Sequence, residues 1–184
     1  MKKLICVIDV QNDFIDGTLR NEDAIKVVPN IVRYLEENID QAYVVATYDT
    51  HYDNYLDTQE GFYLPVTHCV KGTKGHAMNK EVKEVFDQYD NKGIKKEITK
   101  LTFGANPNDW SEIIDELKQN DNFSGEIELL GFCTDICVVS NALLLKALYP
   151  DLKIAVLEKL CAGVTKEKHA SAIEVMKSCQ IEIK

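Results

Sequence analysis

The sequence predicts an α/β fold in which helices cover both faces of a mostly parallel sheet. Apolar runs of strand length alternate with stretches whose apolar residues recur at helical spacing. That alternation repeats along the chain, the pattern that builds parallel sheets through helical crossovers. Size agrees: 184 residues, 45% of them hydrophobic, make one domain over 1–184 with a sizeable core.

Residues 4–10, Leu-Ile-Cys-Val-Ile-Asp-Val, form an apolar run ended by Asp9 and Gln11-Asn12-Asp13, which suits a strand buried on both faces. The first helix is expected to open near Pro29, because proline suits a first helical turn, with Ile31, Val32 and Leu35 facing inward. Residues 42–47 read as the second strand. Residues 48–75 carry Gly61, Pro65, Gly72 and Gly75 and read as a long loop, a length that marks functional or disordered segments. A helix over 80–89, a strand over 93–99 and a helix over 109–119 follow. Ile127, Leu129 and Leu130 read as a buried strand broken by Gly131. Thr134 or Asp135 then caps a helix on which Val138, Ala142, Leu145 and Leu148 share a face. A strand over 152–157, a helix over 165–177 and a strand over 181–183 complete the pattern.

Composition removes several classes of function. The net charge of −9 is spread along the chain without a basic run, so neither nucleic acid nor an anionic membrane surface is an expected partner. No apolar run approaches membrane-spanning length, and Met-Lys-Lys leads directly into the first strand without a signal-type segment, so a cytoplasmic protein is expected. The six cysteines (6, 69, 133, 137, 161 and 179) lack the density of a disulfide scaffold and read as reduced thiols.

In open parallel sheets, chemistry gathers at the carboxyl ends of the strands. Asp9 ends the first strand, Asp49 and His51 follow the second, Lys100 follows the third and Cys137 follows the fourth. Each has an ordinary structural explanation alone; a carboxylate, an amine and a thiol together on one edge are not something a scaffold requires. Cys137 falls in the first turn of a helix, where unpaired N–H groups and the dipole favour a thiolate and can hold an oxyanion. A small buried cysteine at a helix start would look the same. Asp49, His51 and the distant His68 provide one carboxylate and two imidazoles, which suit Zn²⁺ or Fe²⁺ with positions left open, although by spacing alone two histidines that merely hydrogen-bond in the loop are the more ordinary reading. His76 and His169 have no such context.

Four segments together, Val7-Ile-Asp-Val-Gln-Asn-Asp-Phe14, Thr47-Tyr-Asp-Thr-His51, Leu64-Pro-Val-Thr-His-Cys-Val-Lys-Gly-Thr73 and Gly131-Phe-Cys-Thr-Asp-Ile-Cys-Val138, resemble the isochorismatase-like cysteine hydrolases, and within them the nicotinamidases. The resemblance spans nearly the whole chain. It implies a three-layer α/β/α sandwich and a triad of Asp9, Lys100 and Cys137. It also implies a cis peptide at Phe132–Cys133 and a divalent metal, Zn²⁺ or Fe²⁺, on Asp49, His51 and His68 that receives the ring nitrogen of a small amide. An oxyanion would lie on the backbone N–H groups of Cys133 and Cys137. The segment after the lysine, Leu101-Thr-Phe-Gly-Ala105, departs from the family's aromatic-Ser-Ala-Phe pattern, so Lys95 and Lys96 remain alternatives to Lys100. Thr50 stands where nicotinamidases commonly have tryptophan. The implied reaction is hydrolysis of nicotinamide to nicotinate and ammonia; the expected partners are the amide substrate and further copies of the chain. The alternatives are a metal-free relative acting on a non-amide substrate and a catalytically silent binding protein.

Overall fold

The computed structural model describes residues 1–88 and 95–184. Its strands are β1 (Lys2–Ile8), β2 (Ala42–Asp49), β3 (Lys95–Lys100), β4 (Phe123–Phe132), β5 (Lys153–Ala162) and β6 (Glu182–Ile183). They form one sheet, every pair parallel, in the order β3-β2-β1-β4-β5-β6. The chain runs outward from β1 to β3 and then returns to lay β4 on the other side of β1. The strand order therefore reverses between β1 and β4, where a crevice opens at the carboxyl ends.

The helices are α1 (Glu22–Asn38), α2 (Gln59–Tyr63), α3 (Lys80–Gln88), α4 (Pro107–Lys118), α5 (Val139–Leu148) and α6 (Lys166–Ser178). Alternation along β1 sends Ile5 and Val7 to a core shared with α1 and α3, and Leu4, Cys6 and Ile8 to a second core shared with α4, α5 and α6. The result is a three-layer α/β/α sandwich. All six cysteines are free. Among the described residues, no helix is long and apolar enough to cross a membrane.

Several boundaries differ from expectation. The first helix opens at Glu22, because the Asn21 side chain accepts from the N–H groups of Asp23 (2.9 Å) and Ala24 (3.1 Å), and Pro29 lies inside it. An interior proline costs about 3 kcal/mol. Burial of Ala24, Val28, Ile31 and Leu35 against the sheet offsets this, at roughly 1.5–3 kcal/mol for each large side chain. The long segment after β2 is ordered by a turn at Tyr55–Asp57 and by α2, whose first turn Thr58 caps through Gly61 N–H. The expected end of the third helix at Tyr89 and start of the third strand at Gly93 lie outside the described residues.

Gly131 does not break its strand. It lies inside β4 at φ 119°, where a Cβ would overlap the Ile8 carbonyl oxygen of β1. Glycine is required there so that the two central strands close on each other just below the crevice. Gly131→Ala should destabilise the fold by about 2 kcal/mol or more, from the left-handed backbone together with the overlap. A lowered urea midpoint checks this; an unchanged midpoint would mean that β1 and β4 can separate freely.

Candidate active site

Asp9 leaves β1 at φ 46° and is fully buried. Its N–H donates to the Thr47 carbonyl (3.2 Å), and the Thr47 hydroxyl donates to Asp9 Oδ1 (2.6 Å), which turns Oδ2 toward Lys100 Nζ at 2.7 Å. Lys100 is the last residue of β3 and reaches inward past β2. Its ammonium also lies 3.3 Å from Asp49 Oδ1 and 3.5 Å from Cys137 Sγ, and it donates to the Thr102 carbonyl at 3.0 Å. The other two lysines lie elsewhere. Lys95 sits over the Phe86 ring, and Lys96 pairs with Glu112 and Glu116 on α4.

Cys137 lies in a single wide π-type turn, Thr134–Val138, that leads into α5. The Cys133 carbonyl accepts from both Ile136 and Val138 N–H (3.1 Å each), and the Phe132–Cys133 peptide is cis. Thr134 and Asp135 do not cap this turn, contrary to expectation, because the Thr134 side chain faces α6 and the Asp135 side chain faces the segment between β5 and α6. Thr134 Oγ1 lies 2.8 Å from His169 Nδ1, and Asp135 Oδ1 accepts from Val164 N–H at 2.8 Å. Behind the turn, buried Asn141 donates to the Cys137 carbonyl (2.8 Å) and accepts from Ala105 N–H and Trp110 Nε1 (3.0 Å each). One amide thus joins the Cys137 turn to the loop after Lys100. His169 and Asn141 carry no sequence motif; only their buried partners reveal them.

Burial pushes the Cys137 thiol well up, and Asp9 adds to the rise; Lys100 pulls the other way. A helix start alone would favour the opposite direction; here burial is the largest cause. Burial also raises Asp9 against the pull of Lys100, the direction that makes a carboxylate a better proton acceptor. Lys100 is held well above its usual range: burial opposes its charge, but Asp9, Cys137 and Asp49 more than restore it.

Asp49, His51, Glu60 and His68 bring four potential metal-ligand atoms within 4.8 Å of one another. Asp49 Oδ2 lies 3.1 Å from His51 Nε2 and 3.4 Å from His68 Nε2, and Glu60 Oε1 lies 3.5 Å from His51 Nε2. Glu60, from α2, has no counterpart in the sequence reading. His68 Nδ1 is 2.8 Å from the Val66 carbonyl, which can only accept; Nδ1 therefore carries the hydrogen and Nε2 is left to face the cluster. Burial, then the nearby Asp49 charge, raises the Glu60 carboxyl. Two crowded carboxylates with two imidazoles suit a divalent cation, which would relieve that repulsion. Gln11 fixes the bridging residue: its amide donates to the Asp49 carbonyl and accepts from Asp49 N–H, both at 2.8 Å.

Both groups of residues open on one cleft of about 870 Å³, lined by Cys133, Cys137, Asp49 and His68 together with Phe14 and Phe103. A cleft of this size takes a small organic molecule. His76, by contrast, is hydrogen-bonded to Thr50 at 2.9 Å.

The isochorismatase domain model matches residues 3–183. The nicotinamidase/pyrazinamidase of Mycobacterium tuberculosis (strain ATCC 25618 / H37Rv) is 29% identical over 188 residues, covering 100% of this chain and 98% of that protein. An uncharacterized isochorismatase family protein of Bacillus subtilis (strain 168), PncA, is 29% identical over 177 residues, 94% of this chain and 93% of that one. A crystal structure of nicotinamidase PncA from Bacillus subtilis superposes with a TM-score of 0.80 at 26% identity, covering 100% and 99% of the two chains. The chain belongs to the isochorismatase family.

Proposed function

We propose that this protein is a metal-containing cysteine amidohydrolase that converts nicotinamide and water to nicotinate and ammonia. The observation that carries the reading is Lys100 Nζ within 3.5 Å of Asp9, Asp49 and Cys137 at once, beside a four-residue donor cluster in the same cleft. The Mycobacterium and Bacillus relatives supply the substrate class. Retention of the donor cluster disfavours a metal-free relative, and the assembled triad disfavours a silent binding protein.

Asp9 takes the thiol proton, and Cys137 Sγ attacks the amide carbon. The N–H groups of Cys133 and Cys137 receive the oxyanion, and Lys100 keeps positive charge beside the carboxylate and the sulfur. As the C–N bond breaks, Asp9 returns its proton to the leaving ammonia, and a thioester remains. Asp9 then takes a proton from water, whose oxygen attacks the thioester carbon; the acid is released and the thiol restored. Asp49, His51, Glu60 and His68 would hold Zn²⁺ or Fe²⁺, which supplies a Lewis-acid position for the ring nitrogen and so orients the carboxamide.

A panel of aromatic and aliphatic carboxamides, assayed for ammonia with and without chelator, tests this reading. Nicotinamide should be the best substrate, and chelation should cost activity without unfolding the protein, because a site with open positions is not a structural one. His51→Ala should lose bound metal by elemental analysis. Release of ammonia from no carboxamide would refute the reading; full activity on nicotinamide after chelation would refute the metal assignment alone.

Lys100→Ala should slow alkylation of Cys137 by iodoacetamide at neutral pH. The sign follows from the site: the ammonium lowers the thiol's proton affinity, so its loss leaves less thiolate. Peptide mapping of the alkylated cysteine checks this, and an unchanged or faster rate would remove Lys100 from the triad.

A further inference from the structure

We propose that Asp13 is a positioning residue for the metal centre, setting the backbone joint from which His68 projects. The inference rests on the metal reading above and extends it to a residue that carries none of the proposed donor atoms. Asp13 lies in the turn after β1, and its carboxylate is nearly buried. No lysine or arginine pairs with it among the ion pairs of the described residues. Instead Oδ2 accepts from Cys69 N–H at 2.8 Å and Oδ1 from Thr18 N–H at 3.0 Å. Hydrogen bonds to a charged acceptor are the strong ones.

Cys69 is where this matters. It follows His68 directly and holds φ 45°, a left-handed backbone that a side chain adopts at a cost of about 1–2 kcal/mol. Its carbonyl accepts from His51 N–H at 2.9 Å. One strained residue therefore joins the two imidazole-bearing segments, and Asp13 holds its N–H side. The same turn grips the segment twice more: Asp13 N–H donates to the Gly75 carbonyl (3.1 Å), and the Phe14 ring packs edge-on against His68 at 5.7 Å. Gly75 leaves room for this carboxylate alone, since a Cβ there would overlap Oδ2. The turn after β1, which begins with the triad acid, thus also fixes a histidine of the donor cluster.

Asp13→Asn keeps the shape but leaves one acceptor oxygen and turns an amide N–H₂ toward a backbone N–H. Affinity for Zn²⁺, and for Co²⁺ as a visible-absorbing probe, is measured by chelator competition, alongside iodoacetamide alkylation of Cys137. Dissociation constants should rise by about 10–100-fold, the usual effect of losing an outer partner of a metal ligand. The Co²⁺ spectrum should shift as His68 moves, while alkylation stays within about twofold because the triad does not share these bonds. A general loss of structure would instead change alkylation together with metal affinity. Gly75→Ala, which displaces the carboxylate from the other side, should reproduce the weaker binding and decides the matter if the asparagine variant does not fold. Unchanged dissociation constants in the folded asparagine variant, or in Gly75→Ala where it serves as arbiter, overturn the proposal and leave the metal reading standing. Failure of the wild-type protein to bind either ion overturns both.

Discussion

A lysine ammonium that is 2% exposed has to be compensated, and the rest of the site follows from how this fold does so. Removing an ion from water costs several kcal/mol even after relaxation, and only well-placed opposite charge recovers it. Here the compensating charge comes from Asp9 after β1 and Asp49 at the end of β2, and the Cys137 sulfur after β4 accepts from the same ammonium. Satisfying one charge therefore ties together three chain segments at the carboxyl edge of the sheet. Asp49 carries a second duty: Oδ1 faces Lys100 and Oδ2 faces the two imidazoles. Burial opposes its ionisation, but hydrogen bonds from His51 and His68 and the charge of Lys100 keep the carboxyl well below the usual range. Asp49 thus lies between the Asp9, Lys100 and Cys137 group and the rest of the donor cluster.

Around this centre, neutral side chains satisfy the backbone where the loops leave regular structure. Thr47 turns Asp9, Gln11 holds both backbone groups of Asp49, and Asn141 joins the Cys137 turn to the loop after Lys100. None of these groups titrates near neutral pH, so the framework keeps its shape while the charged groups change protonation. The cleft lies where the strand order reverses, and Gly131 lets β1 and β4 approach closely beneath it.

Much of this was legible in the sequence because strand ends are legible. Apolar runs locate β1 and β2, and the rule that chemistry follows strand ends then selects Asp9, Asp49 and His51 without further information. Lys95, Lys96 and Lys100 are alike in sequence, and only the register of β3 shows that Lys100 lies opposite Asp49. Glu60 was not legible: it is one acid among 30, and only the Thr58-capped turn of α2 folds it back onto His51. The start of α1 was missed because Pro29 is a louder local signal than Asn21, although the buried face of Val28, Ile31 and Leu35 runs straight through the proline. A helix start, which lowers a thiol, is visible in sequence; the burial of Cys137, which raises it, is not.

The central claim is that Cys137, beside Lys100 and Asp9, forms the covalent intermediate. Acid-quenching the protein during turnover of nicotinamide, followed by mass spectrometry of its peptides, tests it most directly. A nicotinoyl thioester is expected on the peptide containing Cys137, assigned to that sulfur by fragmentation and absent from Cys137→Ala, which should be inactive. An adduct on Cys133, or hydrolysis by Cys137→Ala at the wild-type rate, would contradict it.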